Sequence, residues 1–165
     1  MATTTNNPTI PNIAYKRIVA PTESLDGIAC IAMVSGKPIA DVLKVAVEKF
    51  KLRRTHGPYY IDEARLQMLF ATFGFVASNY KEIASLSEVP DLALVWQDTD
   101  IEQGLGRVLL HHRMRDPGNP KQTLAYVIDP SPQTTDASRH VCADFSDLQL
   151  TWFMALTPLA KGITK

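Results

Sequence analysis

An α+β fold, with its helices first and a largely antiparallel sheet after them, follows from three observations. Apolar residues recur at helical spacing in the first half of the chain. Beyond Gly74 the pattern changes to short runs rich in Val, Leu and aromatic residues, divided by clusters of Gly, Pro, Asp and Asn. Finally, 165 residues that are 45% hydrophobic and 21% charged supply one core and show no repeat, so helices and strands have to share it.

The elements follow in order. Residues 1–15, rich in Thr, Asn and Pro at their start, read as a flexible arm before a single domain over 16–165. Ser24 and Asp26 offer capping oxygens ahead of the apolar run from Ile28 to Val34, which stops at Ser35-Gly36 and predicts a short buried helix. Pro38 opens a second helix whose apolar face is Ile39, Val42, Leu43, Ala46, Val47 and Phe50, with Asp41, Lys44, Glu48 and Lys51 on the wetter side. The segment from Lys51 to Tyr60, with Arg53, Arg54, His56, Gly57 and Pro58, reads as a loop. Asp62 caps a third helix with the stripe Leu66, Leu69, Phe70 and Phe73, ended by Gly74. Strands are expected at Phe75 to Tyr80, Asp91 to Gln97, Arg107 to Met114 and Thr123 to Ile128. A last helix through Leu148, Leu150, Trp152, Phe153 and Leu156, capped by Asp144 or Ser146, competes with a strand over the same residues.

Composition removes several function classes. Seventeen basic residues balance seventeen acidic ones, so no overall field draws the chain to a phosphate backbone, and nucleic acid is not the expected partner. No run of about 18 apolar residues occurs, which argues against membrane insertion, and the amino terminus lacks the basic and apolar regions of a secretory signal. Cys30 and Cys142 are two separated thiols in a chain able to build its own core, which fits a reducing, cytoplasmic setting. Oligomeric state leaves no mark on the sequence.

The residue types that carry chemistry are few. A thiol nucleophile needs a stabilised thiolate, a histidine and an orienting carboxylate or amide; Cys30, His111 or His112, and Asp129 are the candidates. Cys30 lies inside an apolar run rather than at its start, the position of a packed thiol. His111 and His112 are adjacent in a strand run and point to opposite faces, so at most one looks inward and the other reads as a surface histidine. Asp129 precedes Pro130 and suits a turn as well as a triad. No Cys or His pair has zinc-site spacing, Gly104 and Gly106 lack the lysine and helix of a phosphate loop, and no cofactor is expected. The Lys49, Lys51, Arg53 and Arg54 cluster reads as a solvated helix end.

The stretch Leu25-Asp26-Gly27-Ile28-Ala29-Cys30-Ile31-Ala32-Met33-Val34-Ser35-Gly36 resembles the nucleophile segment of the papain-like leader peptidases that process bacteriocins in bacteria, whose pattern is Asp-Cys-Gly-x-Ala-Cys-Leu-Ala-Met. The later order, Phe73-Gly74-Phe75, then Pro90 to Val95, Arg107 to His112 and Val127-Ile128-Asp129-Pro130, is similar to that family from about Ala20 to Pro132. The resemblance implies a papain-like cysteine peptidase fold. It also places Asp26 at the nucleophile, Ala20 at the oxyanion donor, Arg107 at the histidine and Asp129 at the orienting residue. A carboxylate cannot replace the thiolate, and arginine stays protonated and cannot act as a base. What is then implied is a catalytically inactive domain that binds a peptide or unfolded protein segment in or near the former cleft. The alternative is an active cysteine peptidase that uses Cys30 with His111 or His112 and Asp129.

Overall fold

The computed structural model describes residues 13–52, 61–100 and 105–160. Among these described residues, three α-helices come first: α1 (Asp26–Ser35), α2 (Ile39–Phe50) and α3 (Glu63–Thr72). Seven strands follow: β1 (Phe75–Ala77), β2 (Lys81–Glu82), β3 (Leu92–Asp100), β4 (Leu105–Arg115), β5 (Thr123–Ile128), β6 (Val141–Cys142) and β7 (Leu150–Pro158). Their order across the sheet is β1-β7-β3-β4-β5-β6, with β2 also on β7, and every pairing is antiparallel. The fold is therefore α+β, an open sheet with its helices on one face.

Period-two alternation explains the two faces. On β3, Leu92 and Leu94 join the helix-side core while Ala93 and Val95 join a smaller cluster behind the sheet. Leu110, Tyr126, Ile128, Met154 and Leu156 face α1 and its neighbours; Leu109, Val127 and Phe153 face Phe145 and Leu148 behind the sheet. Ile28, Ala29, Cys30, Ile31 and Ala32 are all fully buried, so α1 is apolar all round and is the central helix. Its first turn approaches α3 closely: a Cβ at Gly27 would stand 3.3 Å from Leu66 Cδ1.

Several sequence expectations change. Neither Ser24 nor Asp26 takes the cap position of α1; Leu25, the last residue of a 3-10 turn, is the cap and offers no side-chain hydrogen bond, and Asp26 is the first helical residue. Val47 was expected on the apolar face of α2 and is exposed, while Val42 and Ala46 are fully buried. The expected strand from Phe75 to Tyr80 is shortened to β1, Phe75–Ala77, and a separate two-residue strand, β2, follows beyond its expected end; both pair with β7. The carboxy-terminal segment is β7 and not a helix. Wedged between β3 and the first two strands, it is apolar on both faces, which hides the alternation that identifies a half-exposed strand. The capping oxygen of Asp144 is used, but for a tight turn, accepting Ser146 N–H at 3.0 Å. The loop expected from Lys51 to Tyr60 falls largely on residues outside the described ones, as does most of the expected arm. At the arm's end, Ile13 and Tyr15 pack against the core. Among the described residues, no helix is long and apolar enough to cross a membrane.

Gly36 ends α1 in the left-handed region, as expected. Lys51 does the same for α2 with φ 56° and no glycine to ease it, closed by Leu52 N–H on Ala46 O at 3.0 Å. A side chain there costs roughly 1–2 kcal/mol, partly offset by the greater freedom of an unfolded glycine. Lys51→Gly should stabilise the protein by about 1 kcal/mol and raise Tm by roughly 2–4 °C in a thermal melt. An unchanged or lower Tm would mean that α2 ends in another way.

Candidate functional site

Asp26 opens the buried helix α1 and is itself only 4% exposed. In the first turn of a helix a negative charge is favoured by the positive end of the helix dipole. One turn further on is Cys30, fully buried. Its thiol is pushed well above its ordinary value, first by burial and then by the negative charges of Asp26 and Asp129. Two carboxylates from distant parts of the chain thus act on one thiol. The effect is opposite to what a nucleophile needs, because it suppresses the thiolate.

Asp129, just past β5, is the most heavily bonded polar side chain of the region. One carboxylate oxygen accepts Ser131 N–H at 2.8 Å, and the other accepts Thr134 Oγ1–H at 2.7 Å and the Arg107 guanidinium. Thr134 Oγ1 also accepts from Arg107 Nη2 at 2.9 Å, closing a triangle. Main-chain groups extend it. Arg17 donates to the carbonyls of Asp129 and Ser131 at 2.6 and 2.9 Å, Asp129 N–H donates to His140 O, and His140 Nε2–H donates to Thr134 O at 2.7 Å. Ala20 is buried, and its N–H donates to Pro130 O at 2.8 Å. Both acceptor oxygens of Asp129 are engaged, and the Arg107 side chain, about one third exposed, is held as the carboxylate's counter-ion.

The two histidines point to opposite faces of β4, as strand geometry requires, yet neither is a plain surface residue. His111 is 2% exposed and lies on the face away from α1, its ring 6.0 Å from that of Phe145. Its Nδ1 is buried without a hydrogen-bond partner among the described residues, and burial drives the imidazole down to about 4. His112 lies on the helix side in an aromatic cluster, 5.0 Å from Tyr15 and 5.5 Å from Tyr126 between ring centroids. It shares a 2.9 Å hydrogen bond with Tyr126 Oη, which accepts Ala14 N–H, and burial lowers its pKa.

The structure therefore brings Arg107 and Asp129 together and sets Asp26 and Asp129 around Cys30. It does not assemble Cys30 with a histidine: His111 is behind the sheet, and His112 is bonded to Tyr126. Arg17, Ser131, Thr134 and His140 were not singled out by the sequence. Asp129-Pro130-Ser131 does carry the signal of a turn closed by an aspartate side chain. Arg17, 112 residues away, carries none. Both cysteines are free thiols. Compared with protein-family models, with curated proteins and with solved structures, the chain matches none of them.

Proposed function

We propose that this chain is a papain-like domain, related to the leader peptidases, that has lost catalysis and holds an extended peptide in or near the former substrate cleft of a cytoplasmic protein. The observation that carries the reading is the pairing of Arg107 with Asp129. A histidine oriented by a carboxylate would be a base; an arginine at that place is a permanent cation, and the pair has become a structural lock. Asp26 at the start of the buried helix adds to this, since the helix end that would activate a thiol holds a carboxylate. A peptide can be held by pockets and backbone hydrogen bonds without a nucleophile. The competing reading, an active peptidase using Cys30, needs a thiolate where burial and two carboxylates oppose one.

Iodoacetamide at neutral pH followed by intact and peptide mass should label Cys142 and modify Cys30 roughly 100-fold more slowly, with no hydrolysis of a fluorogenic Gly-Gly peptide. Asp26→Cys should likewise not hydrolyse it, because Ala20 and Arg107 supply neither oxyanion donor nor base. A photoreactive Gly-Gly peptide should cross-link beside Asp26 and Arg107. Fast labelling of Cys30 together with peptide cleavage would sink the inactive reading, and cross-links confined to other places would sink the cleft.

A further inference from the structure

The two edges of the sheet are built differently. On the β7 side, β1 and β2 lie end to end, and side chains of α3 occupy the gap between them. Gln67 Nε2–H donates to Ser78 O at 3.1 Å, and Glu63 Oε1 accepts Tyr80 N–H at 3.0 Å. The two residues of β2, Lys81 and Glu82, are both charged and exposed. Interruption and charge of this kind stop an edge from pairing with another chain.

Among the described residues, the β5 edge has no such guard over its first half. β6 covers only Val127 and Ile128. Ladder directions show where the remaining groups point. Arg113 N–H donates to Asp91 O, away from β5, so the even-numbered residues of β4 bond β5, among them His112 opposite Tyr126. On β5 the odd-numbered residues then face outward, as Asp129 N–H does in reaching His140 O. The N–H and C=O groups of Thr123 and Ala125 are directed away from β4, where no strand lies among the described residues. The run Thr123-Leu124-Ala125-Tyr126 contains no proline and no charge, and its pairing with β4 has no bulge.

We infer that this open edge of β5 is a docking site for an extended, acidic segment of another polypeptide, which adds a strand to the sheet. Main-chain hydrogen bonds supply affinity in such pairing, and the flanking side chains choose the partner. Exposed Arg115 stands opposite Thr123, and exposed Lys121 precedes it. The nearby carboxylate of Asp116 is turned into its own hairpin, accepting Gly118 N–H at 2.8 Å. A second copy of the chain fits less well. It would bring its own Arg115 and Lys121 against these, and a four-residue edge, about 13 Å long, is too short to bury by itself the roughly 1,200 Å² of a stable association. The site is separate from Asp26 and Arg107 and does not rest on the papain-like reading.

The test uses a fluorescein-labelled, end-capped nine-residue peptide of alternating Thr and Glu, its Thr and Lys counterpart, and fluorescence anisotropy at low salt. The acidic peptide should bind at least about tenfold more tightly than the basic one, and Ala125→Pro should weaken it by about tenfold or more. Because Ala125 N–H faces away from β4, the proline removes no ladder bond, and circular dichroism should show an intact fold. Arg115→Glu with Lys121→Glu should reverse the preference, which keeps the inference testable if Ala125→Pro does not fold. Amide exchange at Thr123 and Ala125 in the unaltered protein should slow when the acidic peptide is added. No binding of the acidic peptide, equal binding by folded Ala125→Pro, or an unchanged preference in the double variant overturns the proposal. A dimer in sedimentation equilibrium that Ala125→Pro abolishes assigns the edge to a second copy and also overturns it.

Discussion

Asp129→Ala lowers the free energy of unfolding by about 2–4 kcal/mol, measured by urea denaturation at neutral pH. Removing one member of a buried ion pair costs roughly 3–5 kcal/mol when the other is left without solvent. Here Arg107 is about one third exposed and can be partly rehydrated, which reduces the figure. Against that, Ser131 N–H and Thr134 Oγ1 each lose an acceptor in a region where Asp129 itself is 7% exposed. Asp129→Asn should lose roughly half as much, because its amide oxygen can still accept Ser131 N–H while the charge is gone. Arg107→Ala, which leaves the carboxylate its Ser131 and Thr134 bonds, should cost less than Asp129→Ala. A loss below about 0.5 kcal/mol for Asp129→Ala would show that the lock does not hold the ends of β4 and β5 together.

Acidification should remove a comparable amount through His111. In the folded protein its imidazole is lowered from 6.5 to about 4, by burial first, with the cations at Arg113 and His112 adding to it and a backbone bond at Pro90 and the carboxylate of Asp91 opposing. Between those two values the unfolded chain takes up a proton that the folded chain refuses. Stability from this group is therefore fully present above about pH 6.5 and is lost as the pH falls towards 4, by on the order of 3 kcal/mol. His112, also lowered by burial, acts in the same direction. His111→Phe, which keeps an aromatic ring beside Phe145, should flatten most of the change between pH 6.5 and 4 in denaturation curves taken at half-unit steps. A wild-type protein equally stable at pH 4.5 and 7 would mean that His111 is hydrated, with its ring open to solvent.

These two residues show what could be read from the chain and what could not. That adjacent His111 and His112 take opposite faces follows from strand geometry alone. What each face holds does not, and both faces of β4 turned out to be covered, one by α1 and the amino-terminal segment, the other by the loop carrying Phe145. Asp129 was legible as a turn carboxylate next to Pro130. Its partners were not, because Arg17, Arg107 and Thr134 are set around it by pairing of remote segments. Cys30 was legible as a packed thiol from the apolar run that contains it, and the structure adds the two carboxylates that act on it.

Local chemistry determined the class of fold, the three helices with their Asp62, Gly36 and Gly74 boundaries, and the strand character of residues 91–97, 107–114 and 123–128. Each of these depends on periodicity and on turn residues within a dozen positions, and that information is complete in the sequence. The tertiary structure alone decided that the last segment is a strand. Its apolar residues satisfy either period, and the choice went to the arrangement in which Ala93, Leu94 and Val95 find Ala155, Met154 and Phe153 as partners some sixty residues away. It also decided which edge of the sheet, among the described residues, is guarded and which is open, and that Arg107 meets Asp129. Contacts between residues far apart in sequence are selected by the summed burial and hydrogen bonding of the whole chain, which no short stretch encodes.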